Sequence, residues 1–305
     1  MYFPDWLSVH PTVREALARG RPVVALESTL ISHGLPWPTN LETAMEAEAA
    51  VRGAGAVPAT VAVWHGVPSV GLNPEQIRAF AETPGIIKAS RRDLPTAMAK
   101  GVHAATTVAA TMFLAHQAGI AVFATGGIGG AHKDTGQPFD VSADLTELAR
   151  TPVLVVCAGA KSILDLPRTL EILETLSVPV IGYRTAIFPA FYVADSGLPV
   201  PATVDDASTA ANLFAHHLKL NGGGAVLAQA IAADVAINAD EFEQWRAVAD
   251  RDARDQRVSG AAVTPFLLKR IAELSAGKTL RANRALIVAN ARLAARVAVA
   301  LSGRG

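Results

Sequence analysis

Short runs of consecutive apolar residues alternate with longer segments of helical spacing along most of the chain. The runs typical of buried strands are residues 23–26, 57–64, 86–87, 120–124, 153–158, 178–182 and 225–229. Segments with helical spacing start at residues 39 and 74 and cover 107–118, 143–150, 162–176 and most of the chain after 240. Strands that alternate with helices are typical of a parallel sheet with helices on both faces. We therefore expect a three-layer α/β/α fold with a mainly parallel central sheet and a helical C-terminal layer, in one domain over residues 1–305.

Three predicted helices carry recognisable start signals. Thr39 is followed three residues later by Glu42, the spacing of a capping box. Asn73 precedes Pro74, and proline is favoured at the first position of a helix. Ser142 is a candidate N-cap for the segment 143–150.

Composition narrows the class of protein. Half of the residues are hydrophobic, and 27 basic residues balance 27 acidic ones. This balance argues against a nucleic-acid-binding surface, which needs a basic excess, although a local cluster could still bind a small anion. The single cysteine, Cys157, excludes a disulfide within the chain and fits a reducing cytoplasm. The apolar stretch 285–301 contains Arg292 and Arg296, so we expect a packed helix there and no membrane span.

The candidate catalytic and binding residues come after predicted strands. Ligands of open α/β sheets bind beyond the carboxyl ends of the strands. The polar residues that come after these ends are Glu27, Lys88 with Arg91 and Arg92, the loop TGGIGG at 125–130 with His132 and Asp140 beyond it, and Lys161. We expect these residues to meet at one edge of the sheet.

Most of these residues allow a structural and a functional interpretation. Glu27 could be a salt-bridge partner or a catalytic acid, and the three cations from Lys88 to Arg92 could form a solvated turn or bind a phosphate near a helix start at Asp93. The glycine loop is an incomplete dinucleotide fingerprint because His132 replaces the third glycine, yet its amides could approach an anion. Asp140, with Ser142 and Asp144, could cap a helix or hold a hard cation through waters.

Lys161 is the sharpest single signal. It follows Gly159-Ala160 between a buried strand and an apolar helical segment. Burial there would favour the neutral amine, which is a nucleophile that forms Schiff bases with carbonyl compounds. The alternative is a lysine that reaches solvent from the first turn of the helix 162–176, where its charge would oppose the helix dipole.

Eight segments together resemble the pseudouridine-5'-phosphate glycosidase family over roughly residues 8–300. They are VALESTLISHGLPWPTN, KASRRDLP, ATTVAATM, VFATGGIGGAH, FDVSADLTELA, VVCAGAKSILDLPRTLEILET, VPVIGYRT and TPFLLKRIAEL. The resemblance implies reversible conversion of pseudouridine 5'-phosphate and water to uracil and ribose 5-phosphate. It also implies an α/β/α fold, a homotrimer and one divalent cation per subunit, usually Mn²⁺.

The resemblance also implies roles for individual residues. Glu27 would be the proton donor, Lys161 the covalent nucleophile and Asp140 the metal ligand. The substrate-binding residues would be Lys88, Val108 through its backbone, Ser142, Ala143 and Asp144, together with Thr125, His132 and Asn283 in matching segments.

Three other functions remain open on the residues alone. A Schiff-base aldolase for sugar phosphates would share Lys161 and the phosphate site, and a demand for uracil in the reverse direction would distinguish the two enzymes. A non-catalytic nucleotide sensor would have no use for a reactive amine. In a scaffold protein without a ligand, the charged residues at the sheet edge would only cap helices and strands.

Overall fold

A computed structural model describes residues 3–133, 140–258 and 263–303. Within them, a mixed sheet of eleven strands has the order β1-β4-β3-β2-β7-β9-β13-β11-β12, with β5 and β6 attached beside β3, and β8 pairs separately with β10. The strands are β1 (Ser8–Val9), β2 (Val23–Glu27), β3 (Val57–Trp64), β4 (Val67–Val70), β5 (Ile87–Ala89), β6 (Ala104–Thr106), β7 (Val122–Ala124), β8 (Ala131–His132), β9 (Leu154–Cys157), β10 (Leu164–Asp165), β11 (Val180–Tyr183), β12 (Ala202–Val204) and β13 (Ala225–Gln229).

Helices connect most of these strands. They are α1 (Pro11–Ala18), α2 (Thr39–Gly53), α3 (Pro74–Glu82), α4 (Leu94–Lys100), α5 (Val108–Gln117), α6 (Ala143–Arg150), α7 (Leu166–Thr175), α8 (Ala207–Lys219), α9 (Ala239–Asp255), α10 (Val263–Leu274) and α11 (Lys278–Ser302). A π-helical turn covers Leu30–Gly34, and a 3₁₀ turn covers Arg91–Asp93.

The centre of the sheet is parallel and fully buried. Strands β2, β7, β9, β13 and β11 pair in parallel with their neighbours, and every residue of β7 and β9 is buried. Strands covered on both faces must be apolar throughout, which explains why they appear as unbroken apolar runs. The expected α/β fold with a mainly parallel central sheet is confirmed.

The long helix α11 packs against β2, β7 and β9 and against the helices α2 and α8. By length and composition it could cross a membrane, but half of its apolar window is buried inside the fold. Charged residues such as Arg292 lie at exposed positions of the same helix. The helix is therefore part of the core, as its helical spacing predicted.

Two of the three helix-start predictions are confirmed. Asn73 and Gln76 form a capping box before Pro74, and the Ser142 hydroxyl accepts a hydrogen bond from the Asp144 amide at the start of α6. The capping box expected at Thr39 is wrong. The N-cap there is Pro38, with no side-chain cap, and the Glu42 carboxylate binds Arg284 of α11 instead.

The helix predicted to start at residue 162 begins at Leu166, with Asp165 as its N-cap. Pro167 explains the difference. A proline lacks the amide proton that an interior helical position needs, so it is tolerated only in the first turn. A start at 162 would have placed Pro167 in the second turn, whereas the observed start places it in the first.

Candidate active site

A cleft of about 870 Å³ lies beyond the carboxyl ends of β2, β7 and β9. Because these strands are parallel neighbours, the residues that follow them come together at one edge of the sheet. Nine of the site residues expected from the sequence line the cleft: Glu27, Lys88, Val108, His132, Asp140, Ser142, Ala143, Asp144 and Lys161. Thr125 and Asn283 lie outside its lining.

Glu27 is the last residue of β2 and is almost fully buried. Burial raises the pKa of its carboxyl above the ordinary value of 4.5. The positive charge of Lys161 and a hydrogen bond donated by the Thr125 hydroxyl oppose this shift, with an Oγ1–Oε1 distance of 2.5 Å. A buried carboxyl with a raised pKa retains its proton at higher pH and is suited to donate it.

Lys161 lies in the turn between β9 and β10 and is half-buried. Its position is fixed by the main chain, because its amide donates to the Ile128 carbonyl oxygen at 3.2 Å and its own carbonyl oxygen accepts from Leu164 at 3.0 Å. It is five residues before the start of α7, so the alternative that placed it in the first turn of a helix is wrong. The helix dipole therefore gives no argument about its charge.

Gly159 beside it has a structural role. Its φ is +79°, and a Cβ atom at this position would lie 1.9 Å from the Pro189 carbonyl oxygen. Glycine is required because the chain segment around Pro189 passes directly over this backbone. Gly159 is therefore small because the segment around Pro189 packs against it. It does not create free space around the Lys161 amine.

Lys88 is the second lysine of the cleft and lies in the middle of β5. Burial lowers its pKa, and the positive charge of Lys161 acts in the same direction. Glu27 interacts with both lysines. Two amines and one carboxyl therefore interact within the same cleft.

The glycine loop binds an anion that belongs to the protein itself. The Gly129 amide donates to Asp144 Oδ2 at 2.8 Å, and the Ala109 amide donates to Asp144 Oδ1 at 2.9 Å. A Cβ atom at Gly129 would lie 2.2 Å from the Ser142 hydroxyl oxygen. The loop is therefore rich in glycine because it packs closely against the start of α6, and the Gly129 amide expected to meet an external anion is occupied by Asp144.

Lys88, Arg91 and Arg92, the three cations considered for binding a phosphate, do not all line the cleft. The Arg91 guanidinium binds Glu147 at 2.9 Å, lies over the Phe113 ring and is not part of the cleft lining. Lys88 and Arg92 do line the cleft. The first turn of α6, with Ser142 and Ala143, also faces it, and the N-terminus of a helix favours an anion.

Asp140 and His132 form the next part of the cleft wall. The His132 amide donates to the Asp140 carbonyl oxygen at 2.9 Å, and the Asp140 side chain is exposed to the cleft. Burial lowers the pKa of His132, and the charge of Asp140 opposes this. In the described ranges no three His, Cys, Asp or Glu side chains are grouped as metal ligands. The donors present fit a hard cation that is held by one carboxylate and keeps its waters. Phe139 of the same sequence motif lies outside the described residues.

Asn283 lies on α11, two turns before Asn290 on the same face of the helix. The Asn290 side chain donates to the Thr125 carbonyl oxygen at 2.9 Å, which places this face against the end of β7. Asn283 is buried, and its Oδ1 atom has no hydrogen-bond donor among the described residues. An unpaired buried acceptor is costly, so a ligand N–H group would stabilise it.

Sequence reasoning missed one wall of the cleft. The end of α9 and the start of α10 contribute Arg254, Arg257, Val258, Val263 and Thr264. No strand precedes these residues, so the rule that places ligands at strand ends gave no signal for them. Packing of α10 against α9, α11 and the π-helical turn after β2 positions this wall.

Comparisons with known proteins agree over nearly the whole chain. The family model "Indigoidine synthase A like protein" matches residues 12–300. A pseudouridine-5'-phosphate glycosidase of Roseiflexus sp. is 55% identical over 300 residues, covering 97% of this chain and 96% of that protein. The Legionella pneumophila enzyme of the same name is 51% identical over 299 residues, covering 98% and 96%.

Two solved structures are also similar. The prealnumycin C-glycosynthase AlnA, in complex with ribulose 5-phosphate, has a TM-score of 0.91 and 42% identity, covering 98% of both chains. An indigoidine synthase A-like protein from Thermotoga maritima has a TM-score of 0.89 and 33% identity, covering 99% of both chains.

Proposed function

The chain belongs to the pseudouridine-5'-phosphate glycosidase (indigoidine synthase A-like) family, and from this membership we propose how its cleft performs the reaction. The activity is the reversible conversion of pseudouridine 5'-phosphate and water to uracil and ribose 5-phosphate. The observation that carries the proposed mechanism is the position of a buried carboxyl with a raised pKa, Glu27, beside Lys161.

The bond to be broken joins two carbon atoms, ribose C1' and uracil C5. Ordinary glycosidases protonate an oxygen of the leaving group. The leaving carbon here has no lone pair, so C5 must accept the proton as the bond breaks, and an electron source is needed at the sugar. A lysine nitrogen on C1' supplies those electrons.

We assign this nitrogen to Lys161. Its unprotonated amine attacks C1', the C1'–O4' bond breaks with its electron pair on O4', the attached nitrogen gives up one proton, and O4' takes up one proton as the ribose ring opens. The nitrogen lone pair then forms a C=N bond as the C1'–C5 bond breaks. The electron pair of the broken C1'–C5 bond stays on uracil. Water adds to the resulting iminium, which releases ribose 5-phosphate and restores the amine.

Glu27 is the proton donor to C5. Its raised pKa keeps the proton available, and its interaction with Lys161 places the acid near the reacting carbon. In the reverse direction the carboxylate removes the same proton from uracil. The bond from Thr125 orients this carboxyl, so Thr125 acts on the substrate through Glu27.

The remaining residues hold the two ends of the substrate. We assign Lys88 and the first turn of α6, at Ser142 and Ala143, to the 5'-phosphate, and the backbone of Val108 borders the same region. Asp144 supports this site by fixing the first turn of α6 through its bonds to the Gly129 and Ala109 amides. We assign His132 to the base. Asn283 lies outside the cleft lining, so its assignment to a uracil N–H group rests on the family resemblance and on its unpaired Oδ1 atom alone. Binding energy from the phosphate can hold the opened sugar for the chemical step.

Asp140 is the proposed ligand of one Mn²⁺ ion per subunit. A divalent cation there would order water molecules and polarise polar groups of the substrate. The homotrimer is a proposal that comes with the family resemblance. The cytoplasmic location, the absence of nucleic-acid and membrane partners and the single-domain organisation over 1–305 are proposals that come from the composition and the pattern of elements.

Two lysines in the cleft make the covalent step directly testable. The protein is incubated with ribose 5-phosphate and sodium borohydride, and the modified peptide is identified by mass spectrometry. We expect one reduced adduct on Lys161, its absence in Lys161→Ala and its persistence in Lys88→Ala. An adduct on Lys88 would overturn the assignment of Lys161. So would the absence of any adduct in a protein that releases uracil at a measurable rate.

Uracil release from pseudouridine 5'-phosphate in the presence of Mn²⁺ tests the activity itself. We expect release by the native protein, and formation of pseudouridine 5'-phosphate from ribose 5-phosphate only when uracil is added. Consumption of ribose 5-phosphate without uracil would instead indicate an aldolase.

A further inference from the structure

The wall of the cleft that α9 and α10 build carries positive charge. Its two charged residues are Arg254, in the last turn of α9, and Arg257, just beyond the end of that helix. The other lining residues of this wall are Val258, Val263 and Thr264. By contrast, the sheet side contributes carboxyl groups as well as cations. The described residues of the α9–α10 wall therefore add only positive charge to the cleft.

Several other ionic residues of α9 form ion pairs. Arg246 binds Glu243 and Asp250, and Asp252 binds Arg270 at 2.7 Å. Neither Arg254 nor Arg257 forms an ion pair with any residue in the described parts of the chain. Both are exposed, so each guanidinium has its donors available to the cleft.

Arg257 also has a backbone conformation that an arginine rarely adopts. Its φ is +53°, its amide donates to the Arg254 carbonyl oxygen, and the Val258 amide donates to the Ala253 carbonyl oxygen. This is the Schellman ending of a helix, in which the left-handed residue is usually glycine. The helix ending by itself favours glycine at 257, so it gives no reason for an arginine there.

We propose that Arg254 and Arg257 recognise the 5'-phosphate of the substrate and set the preference for phosphorylated over unphosphorylated pseudouridine. This rests on the proposed function. The phosphate is the anionic group of that substrate, since ribose and uracil are neutral at physiological pH. Arginine is suited to this role because its planar fork of donors matches phosphate oxygens. The pair would act from a second wall, in addition to Lys88 and the start of α6.

The test compares Arg254→Gln and Arg257→Gly with Arg251→Gln, an exposed arginine of the same helix that does not line the cleft. Arg257→Gly removes the guanidinium and relieves the left-handed backbone, so its Tm should equal or exceed that of the native protein. A loss of activity in this variant is then separate from a loss of folding.

Each cleft variant should lose about 10- to 100-fold in kcat/KM for pseudouridine 5'-phosphate, the range expected for a lost hydrogen bond to a charged group. The kcat/KM for pseudouridine should change less than about twofold, and inhibition by inorganic phosphate should weaken. The Arg251→Gln control should match the native protein.

Equal losses on both substrates, or unchanged inhibition by inorganic phosphate, would overturn the role of the two arginines. Failure of the native protein to release uracil is a different result, because it would count against the proposed function and not against phosphate recognition. In that case, phosphate binding by the native protein and the variants, measured by calorimetry, still tests the arginine pair.

Discussion

The hydroxyl group of Thr125, the first residue after β7, donates a hydrogen bond to Oε1 of Glu27, the last residue of the neighbouring strand β2, over 2.5 Å. The bond crosses two strand ends that are far apart in the sequence. It lowers the pKa of a carboxyl that burial raises. The acidity of the proposed proton donor is therefore set partly by a residue that does not line the cleft.

Replacement of this hydroxyl should change the pH dependence of the reaction. In Thr125→Val the pKa of Glu27 rises further, because the bond that favours the carboxylate is lost. The limb of the kcat profile that falls with rising pH should move to higher pH by about half a unit to one unit. The matched control is Thr60→Val, which removes a buried Thr–Glu bond of 2.7 Å to Glu48. Both variants should lose about 1 kcal/mol of stability, but a shifted profile in the control would contradict this account.

Glu27 should also make stability depend on pH. Its folded-state pKa lies above the unfolded value of about 4.5, so its protonation stabilises the fold fully below pH 4.5, and this contribution is lost as pH rises through the folded-state pKa. Glu27→Gln cannot ionise. The free energy of unfolding of the native protein should therefore fall relative to the variant by up to about 1.4 kcal/mol per pH unit in that window. Denaturant titrations from pH 4 upward measure this difference, and parallel curves would refute it.

Asp144 should be essential to the shape of the cleft. Its carboxylate accepts from the Gly129 and Ala109 amides, so Asp144→Asn turns an amide group toward one of these donors and leaves it unpaired. We expect a loss of about 2–3 kcal/mol in the free energy of unfolding. The control is Asp165→Asn, because that carboxylate also accepts a backbone amide but in a solvent-exposed hydrogen bond at the start of α7, where asparagine caps equally well. Equal, small losses in both variants would show that the Asp144 contacts contribute little.

Asp140→Asn should weaken Mn²⁺ binding. Asp140 is the carboxylate that we propose for this ion among the described residues, so removal of its charge should raise the Mn²⁺ concentration for half-saturation at least tenfold, about 1.4 kcal/mol. Titration followed by electron paramagnetic resonance without substrate measures binding independently of turnover. Asp93→Asn is the control, since Asp93 also lines the cleft but binds the Ser90 amide. An unchanged affinity in Asp140→Asn would remove this residue as the ligand.

The strands that carry the site could be predicted because a parallel strand buried on both faces needs consecutive apolar residues. The runs around β2, β7, β9 and β13 meet this condition, and the polar residues that follow them had to meet at one edge. The two-residue strands β8 and β10 could not be predicted, because they exist only through pairing between Leu164 and His132 and between Asp165 and Ala131. Such pairing depends on distant residues and leaves no periodic signal.

The sequence by itself determined the α/β class, the family and the convergence of Glu27 and Lys161, since strand burial and strand-end position are local properties of the chain. Tertiary structure alone decided which groups bind each other. In the folded protein the Gly129 amide donates to Asp144, and the Thr125 hydroxyl donates to Glu27. Arg91 forms an ion pair with Glu147 and does not line the cleft, whereas Arg254 and Arg257 do. These contacts join residues that lie far apart in the chain, and side-chain partners at such separations are fixed only when packing brings their elements together.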